Sequence, residues 1–155
     1  MEPRHGSTTK RLAIALAALL SGLAAAETPN ASPQKGTDMT RIHVIAGDQT
    51  LSATLDDTPA GRDFARLLPL ELSLSDYHAT EKVADLPRKL DTADAPASYT
   101  PKAGDITYYA PWGNLAIFYE PFRTSRGLVR LGAFDEPIDA LLKDGAIAVR
   151  IKAAE

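Results

Sequence analysis

The residues best suited to holding a ligand fall between Asp105 and Arg130. "DITYYAPWGNLAIFY", Asp105 to Tyr119, contains the chain's only tryptophan, Trp112, and four further aromatic residues. Phe122 follows, and the basic stretch "FRTSRGLVR" adds Arg123, Arg126 and Arg130. Aromatic faces supply apolar contact area and guanidinium groups supply forked donors, a pairing that suits a peptide or a small molecule. Trp112 falls in the turn between two strand-like runs, where it is either a lid over the core or one wall of a cleft. The lid is the favoured reading. If a cleft is there instead, Tyr109, Trp112, Phe122, Arg126 and Arg130 are its candidate ligand-binding residues. Taken alone, the basic stretch reads more readily as a solvated loop than as an anion site.

Other chemistries have weaker support. "DYHATE" places Asp76, His78 and Glu81 close together, but a metal site usually wants a further His or Cys at recognisable spacing. The only other histidine of the folded region is His43, far away in sequence, so no metal is expected. Ser75 lies near His78, yet there is no Gly-x-Ser-x-Gly elbow to present a nucleophile. There is no Gly-rich phosphate loop and no dinucleotide fingerprint, so no cofactor is expected. The absence of cysteine removes disulfides, thiolate ligands and thiol nucleophiles together. Asp56-Asp57 and Asp135-Glu136 precede helical segments, where capping and the helix dipole account for them. No catalytic residue is assigned.

The elements that would position these residues are short. "RIHVIAGDQTLSATL" is a hairpin, with Gly47-Asp48 between two alternating runs. "DDTPAGRDFARLLP" is a short helix capped by Thr58, with Pro59 in its first turn, Pro69 as its stop, and Phe64, Leu67 and Leu68 as its buried face. "LELSLSDY" alternates, with Leu70, Leu72 and Leu74 inward and Glu71, Ser73 and Ser75 outward. The stretch from His78 to Leu90 reads as one short strand and a turn around Pro87, and "DTADAPASYTPKAGD" as loop. Two strands then flank the Trp112 turn. Within them Tyr108 and Tyr109 face opposite ways, as do Phe118 and Tyr119, so one of each pair is core and the other lies outside. "GLVRLGAF" is a strand and "EPIDALLKDG" a second short helix. "AIAVRIK" closes the domain, with Ile147, Val149 and Ile151 inward. Many short alternating strands and two short helices predict a mainly β protein, a closed or nearly closed barrel capped at its ends. Closure also removes the exposed edges that a cysteine-free exported domain can ill tolerate.

The N-terminal part is organised differently. "TTKRLAIALAALLSGLAAAET" carries Lys10 and Arg11, an apolar run from Leu12 to Leu23, and the small-x-small pair Ala24 and Ala26. That is the order of a secretory signal over 1–26, with an apolar run too short to span a bilayer comfortably. Lipoprotein attachment is excluded, since no cysteine follows. Residues 27–39 are polar and unpatterned, a disordered linker before a domain over 40–153. The expected location is periplasmic or secreted, with no stable membrane span after cleavage. Setting Glu2, Arg4, Lys10 and Arg11 aside leaves 14 of 17 basic and 19 of 20 acidic residues, a net of −5. That mild acidity argues against a nucleic-acid partner.

Three segments carry a resemblance: "YHATEKVADLPRKL", "YTPKAGDITYYAPWGNLAIFY" and "GLVRLGAFDEPIDALL". Together they resemble the bacterial cyclophilin-like domain family over Arg41 to Lys152. The resemblance implies an eight-stranded barrel with two capping helices. The isomerase centre of cyclophilins proper uses an Arg on the strand after the first helix, then an aromatic residue and a Gln. The matching strand here, "LELSLSDYHA", has no Arg, Phe or Gln, so no catalytic residue carries across. The expectation is an exported, non-catalytic module that binds a peptide or small ligand near Trp112. The alternative is a peptidyl-prolyl isomerase whose cation is supplied instead by Arg126 or Arg130.

Overall fold

The computed structural model describes residues 39–155. The expected signal segment, and all of the expected linker except Met39, therefore lie outside the described residues. Ten strands, one α-helix and one 3-10 turn follow in order. They are β1 Thr40–Ala46, β2 Gln49–Leu55, α1 Pro59–Ala65, β3 Leu70–Tyr77, β4 Glu81–Asp85, β5 Ser98–Tyr99, β6 Asp105–Tyr109, β7 Asn114–Phe118, β8 Ser125–Arg126, β9 Leu128–Phe134, the 3-10 turn Asp139–Leu141 and β10 Ile147–Ala153. Eight strands close a barrel in the order β1-β10-β3-β4-β7-β6-β9-β2, with every pair antiparallel. The two short strands β5 and β8 pair with each other outside it.

Period-2 patterning drives closure. Ile42, Val44, Leu51, Ala53 and Leu55 of the first hairpin point inward with Leu74, Leu115, Ile117, Leu131, Val149 and Ile151. Gly47, at φ +62°, makes the tight β1–β2 turn that brings Ala46 opposite Gln49. Helix α1 plugs one mouth with fully buried Phe64. The Thr58 hydroxyl accepts from the Gly61 N–H at 3.1 Å, as its capping role requires. Asp63, on the same helix, accepts both forks of the Arg88 guanidinium (2.8 and 2.9 Å) and the Asp91 N–H (2.8 Å). These bonds tie the loop after β4 to the helix. They hold the Asp63 carboxyl down at about 2.

One element differs from expectation. The segment "EPIDALLKDG" is not a second helix but a single 3-10 turn over Asp139–Leu141. Its two buried anchors, Ile138 and Leu141, are three residues apart, which suits three residues per turn. No side chain caps its start. Past it, the Lys143 carbonyl accepts a hydrogen bond from Lys82 Nζ at 2.8 Å, which anchors the end of the turn on the barrel. Lys82 itself is only 1% exposed and also donates to Asp76 at 3.0 Å. It belongs to the barrel interior.

The outer face is not simply solvent. All five residues of β7 are buried. Leu115 and Ile117 fill the barrel, while Ala116 and Phe118 point outward into a second apolar cluster with Leu128, flanked by Val83, Tyr99, Tyr109 and Phe122. Outward on this side of the barrel means a second, smaller core. No helix among the described residues is long and apolar enough to cross a membrane.

Candidate ligand-binding cleft

The cleft lies on the outside of the barrel, where β3, β4, β7, β6 and β9 run side by side. Antiparallel partners point to the same face, so the register fixes its floor. Tyr77 opposes Glu81, Glu81 opposes Phe118, Asn114 opposes Tyr109, and Tyr109 opposes Leu128. The far wall is the segment around Phe122 to Arg126. It is pinned by the β5–β8 pairing, by Phe122 N–H donating to the Pro101 carbonyl (3.2 Å), and by Gly127 N–H donating to Ala97 (3.0 Å). Gly127 has φ +80°, and a Cβ there would come within 2.8 Å of Pro111. Only glycine lets this wall pass the Trp112 turn so closely.

These elements enclose a cleft of about 690 Å³. Trp112 stands in it as an exposed wall. It is 62% exposed, which overturns the reading of this residue as a lid over the core. The reason lies in the turn: Trp112 N–H and Gly113 N–H both bond the Tyr109 carbonyl (3.2 and 2.9 Å), so the turn is closed by its own backbone. The barrel beneath is already filled by Tyr108, whose hydroxyl accepts from the Leu90 N–H at 3.2 Å. The indole meets Tyr77 and Tyr109 edge to face, with centroids 5.8 and 5.2 Å apart. Phe118 and Phe122 stack at 6.2 Å, and the Arg123 guanidinium lies 5.4 Å over the Phe122 ring.

Two polar groups in the cleft are poorly served. Burial pushes the Glu81 carboxyl up to about 7. Among the described residues it makes no ion pair. Asn114 is 6% exposed, and its Oδ1 has no hydrogen-bond partner. At the lip, His78 and Ala79 carry φ of +51° and +53° in the β3–β4 turn, closed by Thr80 N–H to the Tyr77 carbonyl at 3.2 Å. Positive φ at both positions matches the primed hairpin turn, but an alanine there is strained.

Of the five residues anticipated from sequence, Tyr109, Trp112, Phe122 and Arg126 line this cleft. Arg130 does not. It faces outward further along β9, where Nη1 bonds both oxygens of Asp56 (2.8 and 2.6 Å) and Nε lies 3.6 Å from Asp105. It lines a separate cavity of about 250 Å³ beside α1. The trio of "DYHATE" is also divided. Asp76 accepts from Lys82 and from the Tyr119 hydroxyl (2.8 Å), whereas His78 and Glu81 face the cleft. The hydroxyl and the lysine hold Asp76 below its usual range. Tyr119 in turn is pushed up to about 12 by burial and by that carboxylate. Sequence reasoning passed over Tyr77, Glu81 and Asn114 as cleft residues. Their signal was the β3–β4 turn, since pairing Tyr77 with Glu81 puts both on the face that Phe118 shares.

The model of the Cyclophilin-like family matches residues 44–152. No curated protein matches the chain. Among solved structures, it is similar to the solution structure of a hypothetical protein from Archaeoglobus fulgidus. That match has a TM-score of 0.60 and 14% identity, covering 79% of this chain and 100% of the other. At such identity the likeness concerns the fold alone.

Proposed function

We propose, from the premise that this chain belongs to the cyclophilin-like family, that it is an exported binding module that takes a peptide or small ligand into the cleft beside Trp112 without turning it over. The fold names no reaction, so the site must carry the reading. One observation carries it: Tyr77, Tyr109, Trp112, Phe118 and Phe122 converge on one open cleft of about 690 Å³ while the indole stays largely exposed. That volume falls within the range of roughly 300–1,000 Å³ usual for ligand pockets. An exposed tryptophan among other rings marks a surface that gains by being covered. Against catalysis of proline isomerisation stands β3, whose outward side chains Glu71, Ser73 and Ser75 offer no cation. Because Trp112 is the only indole, its emission reports on the cleft directly. Titrating short peptides, proline-containing ones included, should give saturable changes in Trp112 emission with no acceleration of prolyl cis–trans exchange. An emission spectrum unmoved by every peptide would count against the module. Export is tested separately: protein recovered from the cell envelope should have an intact mass beginning at Glu27.

A second reading has an observation of its own. Arg126 lines the cleft and, among the described residues, makes no ion pair. A donor placed against the prolyl nitrogen would lower the barrier of about 20 kcal/mol. Prolyl exchange catalysed by the parent and abolished in Arg126→Ala would establish an isomerase with a relocated arginine. Arg130 is not available for that role while Asp56 and Asp105 hold it.

A further inference from the structure

The cleft is chemically lopsided, and the imbalance indicates what should fill it. On one side Trp112 meets Tyr77 at 88° and Tyr109 at 84° between ring planes. Rings set at right angles form a corner in which the faces of some rings and the edges of others are presented together. The faces carry the negative part of the ring quadrupole and attract cations. Glu81 is the cross-strand partner of Tyr77 and points to the same side. Its carboxyl is partly withdrawn from water, yet among the described residues it has neither a hydrogen bond nor an ion pair. Asn114 adds a buried carboxamide oxygen without a donor.

We propose that the group seated beside Trp112 is an organic cation on a peptide side chain of the lysine type, held by the Tyr77–Trp112–Tyr109 corner and the Glu81 carboxylate. The proposal rests on the reading of the cleft as a ligand site. A neutral apolar group would cover the rings but leave Glu81 and the Asn114 Oδ1 desolvated and unpaired, which is costly. A cation supplies the charge that Glu81 lacks and N–H donors for free acceptors. A bare metal ion fits less well, because no group of three or more His, Asp or Glu side chains among the described residues could hold one. Arg123 and Arg126 lie on the opposite wall and are exposed. Their donors suit the carbonyls of a peptide backbone, so acceptors on one wall and donors on the other match a peptide better than a simple amine.

The test uses four acetylated, amidated pentapeptides of sequence Ala-Ala-X-Ala-Ala, where X is lysine, trimethyllysine, norleucine or glutamate, with Trp112 emission as the readout. Norleucine keeps the apolar stem and drops the charge. Lysine should bind roughly tenfold more tightly than norleucine, and trimethyllysine, which keeps the charge but has no N–H to donate, should fall between the two. Glu81→Gln should erase that preference. If lysine and norleucine bind equally, or the preference survives Glu81→Gln, the cation is wrong and the cleft stands as a ligand site of another class. A preference for glutamate at X would also overturn the proposal, assigning the binding to the arginine wall. If none of the peptides moves Trp112 emission, both the cation and the binding reading fail.

Discussion

The inside of the barrel and its outer aromatic face are both apolar clusters, yet they are finished differently. Inside, aliphatic side chains dominate and the polar groups are paired. Even the buried Lys82 has the Asp76 carboxylate at 3.0 Å and the Lys143 carbonyl at 2.8 Å. Outside, aromatic side chains dominate, Trp112 stands in solvent, and Glu81 and the Asn114 Oδ1 lack partners. A cluster built only for stability would bury its largest side chain and satisfy its polar atoms. The outer face does neither, and that physical difference from the core is what the proposed ligand site rests on.

The sharpest way to break this contrast is to truncate one large aromatic residue on each side. Phe64→Ala, at the fully buried mouth of the barrel, should cost about 3–5 kcal/mol. Trp112→Ala should cost less than about 1 kcal/mol despite removing a larger side chain, because the indole is already exposed. Chemical denaturation of both variants measures the pair. Equal losses would mean that Trp112 is part of the core after all.

Asp63 and Glu81 extend the contrast to pH, with opposite signs. Asp63 is held at about 2 in the folded chain against 3.8. Its stabilisation is therefore complete above 3.8 and is lost as pH falls through about 2. Asp63→Asn should lower stability at neutral pH by about 2–3 kcal/mol, and the deficit should shrink on acidification. Glu81 is raised from 4.5 to about 7. The folded state thus binds more protons between those values, and stability falls as pH rises through that window. Glu81→Gln should accordingly stabilise the protein at pH 8 by about 1–2 kcal/mol and make little difference at pH 4. Thermal unfolding across pH 2–8 tests both variants, and a Glu81→Gln variant that loses stability at pH 8 would point to an ionised, paired carboxylate.

The smallest effect is expected at the lip of the cleft. Ala79→Gly relieves a φ of +53° but adds freedom to the unfolded chain, so a net gain of about 0.5 kcal/mol is expected. Denaturant midpoints resolve a change of that size, and a destabilised variant would show that the turn is not strained.

Much of the barrel could be read directly from alternation. Leu51, Ala53 and Leu55, or Ile147, Val149 and Ile151, state which face is inside, because side chains in a strand repeat every second residue whatever the strand pairs with. The Thr58-Pro59 start of α1 was legible for the same reason, since capping is settled within four residues. The 3-10 turn at Asp139–Leu141 was not. That turn is anchored by tertiary contacts, Ile138 and Leu141 in the core and the Lys143 carbonyl on Lys82, 61 residues away in sequence. The cleft divides along the same line. Tyr109, Trp112 and Phe122 stood out by composition, but Arg130 resembled Arg126 until Asp56, 74 residues distant, was seen to hold it. Trp112 could not be placed from its turn alone, because its exposure is decided by whether Tyr108 has already filled the barrel below. By itself the sequence determined which residues each strand turns inward and where its chain reverses, since those are set by neighbours a few residues apart. The tertiary structure alone decided which outward residues face one another across five strands, and so which carboxyl was left without a partner. That depends on strand order and register, which no local pattern encodes.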